Sequence, residues 1–188
     1  MHSRIEEVLN YVDAQRRELG EAVELVPPAL RDTQPGPDRW SVAQVLQHLG
    51  IIENRIARGL TKWIADARDG GLGPEIETSS ILHSLPLQLI ADRSQRRSAP
   101  AEVRPEGNID AESAWAALEK SREVLRAAIL SADGLALSEV VQPHPVLGPI
   151  NLYQWVLFIG GHEARHTAQV REIAAELNAN SNTVAGAG

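Results

Sequence analysis

Two histidines, His162 and His166, stand four residues apart in GGHEARHTAQV (160–170), with Glu163 directly after the first. On a helix, residues i and i+4 share a face, about 6 Å apart along the axis. The letters match H-E-x-x-H, the string with which zinc proteases place two ligands and a general base on one helix. Such an enzyme also needs a third ligand downstream. After His166 the chain reads TAQVREIAAELNAN, without a glycine or histidine at the required offsets. Glu172 and Glu176 continue the same helix and cannot fold back onto an ion. No upstream sheet is predicted that would shape a peptide cleft. A protease is therefore the weakest reading, and Glu163 is expected to be a helix-surface or interhelical ion-pair residue.

The two histidines fall within an apolar stripe. Trp155, Ile159, His162, His166, Val170 and Ile173 recur at helical spacing, and so do Val45, His48, Ile51, Ile52 and Ile56 in an earlier segment. Three imidazoles without partners in a core would cost several kcal/mol. Hydrogen bonds to neighbours would offset that, and so would a divalent cation, for which neutral imidazole is a good ligand. The spacing alone leaves both open. Gln44, one turn before His48, and Gln169, three residues after His166, can orient the rings or serve as ordinary interhelical hydrogen-bonding groups. Asn54 and Arg55 follow His48 and are expected on a solvated or ion-paired face. His144, in QPHPVLGP, belongs to a Pro-rich turn from which it can reach the mouth of a site. His2 and His83 are expected at the surface.

Four helical segments must position these residues. Ser3 with Glu6 is expected to cap the first, which stops at Pro27-Pro28. Ser41 with Gln44 caps the second, which ends at Gly70-Gly71. Asp110 opens the third, closed by Gly134, and Asn151 with Gln154 opens the last. Nothing alternates at period two long enough to predict a sheet. About forty residues rich in Pro, Gly and Ser (70–110) join the second and third segments, with a short helix expected around Ile81 to Ile90. A connection that long covers something or crosses the domain. The Gly160-Gly161 pair disfavours helix by roughly 1 kcal/mol per residue, so another element is expected to approach closely there. The four Trp are expected to anchor core and loops. The predicted architecture is an all-α four-helix bundle, one domain over 1–178, with a disordered tail over 179–188.

Composition narrows the function. At 188 residues and 43% hydrophobic the chain suits one soluble domain, and a cytoplasmic location is expected. No run is long enough to span a bilayer, and the N-terminus lacks the pattern of a signal peptide. There are no cysteines, which excludes disulfides and a protein thiolate nucleophile. The net charge is −7 and the longest basic cluster surrounds Arg96 and Arg97, so neither nucleic acid nor a membrane is expected as a partner.

RWSVAQVLQHL around His48, and HPVLGPINLYQWVLFIGGHEARHTAQV at the end, resemble the DinB-like (YfiT-like) metalloenzyme superfamily. The DRSQRRSAPAEVRPEG connection, the Ser121-Arg122 pair and the Gln169 that follows the His-x-x-x-His close extend the resemblance over most of the chain. It implies a four-helix bundle, often a homodimer, in which three histidines hold a divalent metal, usually nickel or zinc. Those ligands fall on His48, His162 and His166. Three imidazoles leave an ion its full charge and an open position. Water or a small thiol placed there is acidified. Some members of the superfamily use low-molecular-weight thiols in transfer or isomerisation, and others are described as hydrolases. The resemblance thus implies a metal-dependent thiol transferase or hydrolase acting on a small molecule. The alternative is a non-catalytic bundle that binds a ligand or partner and keeps the metal for structure.

Overall fold

The structure, a computed structural model, describes residues 1–95, 98–106 and 109–185, with side chains described to residue 179. Arg96 and Arg97 of the basic patch therefore lie outside the described residues. Four long helices dominate: α1 (Ser3–Glu24), α2 (Val42–Asp69), α4 (Ala111–Ser131) and α5 (Leu152–Ala185). A five-residue helix, α3 (Leu87–Ala91), and a 3-10 turn at Leu82–Ser84 lie in the long connection, where a short helix was expected. The backbone of α5 continues to Ala185, within the stretch assigned above to a tail, and residues 186–188 are not described. Among the described residues, no helix is long and apolar enough to cross a membrane.

Three of the four predicted caps are present. Ser41 and Gln44 form a reciprocal capping box at α2, and Asp110 caps α4 by accepting from Ser113 N. Asn151 N donates to Gln154 Oε1 at 2.9 Å and Gln154 N donates to Asn151 Oδ1 at 3.0 Å, opening α5. The cap of α1 differs. The helix already includes Ser3, and the imidazole of His2 accepts from Arg4 N at 3.3 Å. The His2 backbone N–H is itself held by Asp133 at 2.7 Å, which fixes the entry of the chain one residue earlier than expected.

A sheet was not expected, yet a small one is present. Strands β1 (Val141–His144) and β2 (Gly148–Asn151) form an antiparallel hairpin immediately before α5. Four residues per strand, each strand containing a proline, are too few for alternation to register. The turn makes the hairpin: Gly148 takes a positive φ of 75°, and Nδ1 of His144 accepts from Val146 N and Leu147 N.

Two apolar clusters show how the chain runs. One gathers Val8 and Val12 of α1, Leu60 of α2, Leu125 of α4 and Val156 of α5. The other gathers Leu19 of α1, Leu46 of α2, Leu118 of α4 and Val170 of α5. The N-terminal half of α2 and the N-terminal half of α4 thus sit at the same end, so the two helices run in the same direction. The connection between them has to return the length of a helix, about 32 Å for the 21 residues of α4. It does so along the surface of α5, against which α3 packs.

Between the two clusters lies a closed ring of four buried charges, one from each long helix. Arg16 of α1 donates from Nε to Glu163 of α5 at 2.5 Å and from Nη2 to Glu53 of α2 at 2.7 Å. Arg122 of α4 donates to the same two carboxylates, each at 2.7 Å. Its third donor takes the Val12 carbonyl at 2.7 Å. Burial raises the pKa of Glu53, and both guanidiniums oppose that rise. For Arg122, burial would lower the pKa, but the carboxylates of Glu163 and Glu53 outweigh it and raise it. Two positive and two negative charges balance. Removing one leaves a buried charge uncompensated, so Glu53→Ala should cost about 3–5 kcal/mol in urea unfolding at neutral pH.

Candidate metal centre

His48 sits two turns into α2, on the face that packs against α5. His162 and His166 project from successive turns of α5 toward it. One ring nitrogen from each of the three lies within 4.8 Å of the others. Ring centroids are 5.2 Å apart for His48 and His162, 4.8 Å for His48 and His166, and 4.5 Å for His162 and His166. The Nε2 atoms of His162 and His166 face one another at 3.2 Å.

Two of the rings are held from behind. Nδ1 of His48 is 2.6 Å from the Val103 carbonyl. A carbonyl only accepts, so Nδ1 carries the hydrogen and Nε2 keeps its lone pair. Nδ1 of His166 is 2.8 Å from Oε1 of Gln169. Aromatic walls flank the cluster. Trp40 lies 4.9 Å from His48 and nearly parallel to His166 at 6.3 Å, and Phe158 stacks on His162 at 5.6 Å. His48 and His166 are buried, while part of His162 meets solvent.

Burial lowers the pKa of every ring. His48 is shifted down despite the Val103 hydrogen bond. His162 is pushed down to about 3, by burial first and then by positive charge on His48, Arg165 and His144. His166 is held well below the usual range by burial and its two histidine neighbours, against the pull of Gln169. All three are neutral at pH 7, the form that ligates a metal. A single hydrogen bond between Nε2 atoms serves two of the three nitrogens, whereas one divalent cation serves all three. The donor set therefore fits such an ion.

The remaining predicted residues separate into those at the site and those elsewhere. Gln169 is in place. Gln44 is not: its Oε1 accepts from Ser41 N at 2.9 Å and Gln34 Nε2 at 3.1 Å, because the helix cap claims it. His144 is one ring removed from the cluster, packed against Phe158 at 4.3 Å and Trp155 at 4.8 Å, with Nδ1 engaged by its own turn. Arg55 and His83 are exposed. Glu163 is buried with both oxygens on Arg16 and Arg122, the interhelical ion pair of the two roles expected. The glycine pair admits close neighbours: a Cβ on Gly160 would collide with the Tyr11 ring, and one on Gly161 would lie 3.1 Å from Ile90 of α3.

The sequence does not place Val103, Trp40 or Phe158 at the site, nor Arg93, whose Nη1 donates to Gln169 Oε1 at 3.2 Å behind His166. Val103 acts through its backbone, which carries no residue-type signal. Trp40 was visible in the RWS opening but not its orientation.

A mostly helical protein with a cluster of three neutral histidines, two of them buried, is the class that fold and site define. A family model, that of the DinB superfamily, matches residues 11–170, and the chain belongs to that superfamily. The uncharacterized protein YuaE of Bacillus subtilis (strain 168) is 33% identical over 145 residues, covering 77% of this chain and 83% of that protein. No solved structure matches the chain significantly.

The pKa shifts set a pH dependence. Unfolded, each imidazole takes a proton near pH 6.5; folded, each takes it at lower pH, His162 and His166 well below that value. The unfolded chain therefore binds more protons below pH 6.5, and stability is lost as pH falls from there. The metal-free protein should lose up to about 1.4 kcal/mol per pH unit for each histidine. Urea unfolding between about pH 7.5 and pH 5 should show this slope, and His166→Ala should make it shallower.

Proposed function

We propose that this chain is a four-helix-bundle metalloprotein in which His48, His162 and His166 hold one divalent ion, zinc or nickel. Its activity is that of a metal-dependent enzyme acting on a small molecule, as a thiol S-transferase or a hydrolase. The observation that carries this reading is the convergence of three neutral imidazoles in a group that, among the described residues, includes no fourth protein ligand. That is the arrangement of catalytic rather than structural zinc sites.

When bound, such an ion supplies Lewis acidity and acidifies a water or thiol occupying its open position. The chain does the rest. Val103 and Gln169 orient two rings, and Trp40 and Phe158 wall the site. The partly exposed His162 marks the side from which a substrate approaches. The absence of cysteine makes a low-molecular-weight thiol the fitting nucleophile for a transferase. Glu163 is not available as the base of a peptidase, because two guanidiniums hold its carboxylate.

Elemental mass spectrometry of the purified, untagged protein tests the reading. About one zinc or nickel per chain is expected, with His48→Ala and His162→Ala each losing it. A native protein that takes up neither metal after loading would leave the three histidines as packed core residues.

A further inference from the structure

We propose that Arg93 is a positioning residue for this site: through Gln169 it fixes His166 as the tautomer with hydrogen on Nδ1, leaving Nε2 a bare acceptor. The consequence for metal affinity rests on the reading above, whereas the tautomer is a property of the chain itself.

Arg93 lies two residues beyond α3, in the long connection. Its guanidinium grips Glu172 with two hydrogen bonds, Nε to Oε1 at 2.9 Å and Nη2 to Oε2 at 2.8 Å. The other terminal nitrogen, Nη1, reaches Oε1 of Gln169 at 3.2 Å. That same oxygen lies 2.8 Å from Nδ1 of His166. A guanidinium has donors and no acceptor. The Gln169 carboxamide is therefore turned with its oxygen toward Arg93, since the opposite orientation would set donor against donor. An oxygen so placed requires the hydrogen on Nδ1.

Gln169 alone would not impose this. A carboxamide has nearly the same shape either way round, and a flip would present its NH2 to Nδ1. The hydrogen of His166 would then move to Nε2, the atom that faces His162 at 3.2 Å. His48 needs no comparable device, because the Val103 carbonyl behind it cannot flip. Arg93 gives a side-chain amide the one-way character that a backbone carbonyl has by nature. The connection thus governs two of the three rings, one directly and one through this relay.

Proton–nitrogen NMR of the metal-free protein, labelled with 15N-histidine, reads which ring nitrogen carries hydrogen. Wild-type His166 should show Nδ1–H alone. Arg93→Ala should populate the Nε2–H form and raise the zinc Kd about 10- to 100-fold, the range for losing a group that orients a ligand. Adding Gln169→Glu to Arg93→Ala should return the hydrogen to Nδ1, because either carboxylate oxygen accepts. Wild-type His166 protonated at Nε2 would overturn the relay without recourse to any variant. So would an Arg93→Ala protein that keeps Nδ1–H alone. A wild-type protein with Nδ1–H that binds neither zinc nor nickel would sink the metal reading and leave the relay standing.

Discussion

The ring formed by Arg16, Glu53, Arg122 and Glu163 is the constraint on which the rest of this structure depends. Each long helix contributes one member, and every carboxylate meets both guanidiniums. Apolar side chains tolerate sliding and repacking, but a buried charge displaced by one turn loses its partner at a cost of several kcal/mol. The ring therefore sets the register of all four helices at once, at the level where the two apolar clusters meet. Glu163 is adjacent to His162, and Glu53 is five residues beyond His48. The register that satisfies the charges is also the one that brings the three imidazoles together.

The long connection follows from helix direction. With α2 and α4 running the same way, the chain has to travel back before α4 can begin. Its path was put to use. Ile90 fills the space left by Gly161, Arg93 reaches Gln169 and Glu172, and the Val103 carbonyl holds His48. A segment in which no motif names a chemistry thereby supplies much of the support behind the histidines.

How much of this was legible in the sequence depends on whether the signal was local. The caps at Ser41, Asp110 and Asn151 were, because each is decided within four residues. The histidine stripes were too, because periodicity places His48, His162 and His166 on apolar faces before any contact is known. The hairpin escaped because its strands are short and contain prolines. Gln44 illustrates a competition that spacing cannot arbitrate, as one oxygen serves either the cap or the ring behind it, and the cap prevails. Arg16 and Glu53 read as ordinary helix charges until the helices are assembled. Glu163 is the instructive case: the letters H-E-x-x-H suggest a base beside a metal, while helix geometry turns its carboxylate into the ion ring.

Membership of the DinB superfamily, the convergent nitrogens and the lowered pKa values all bear on one claim, that three histidines hold a divalent ion with a position left open. X-ray absorption of the zinc-loaded protein tests it most directly. Three imidazole nitrogens at about 2.0–2.1 Å are expected, completed by a light-atom ligand that an added small thiol replaces with sulfur at about 2.3 Å. A first shell with carboxylate ligation, or one closed by four protein ligands and indifferent to added thiol, would contradict it.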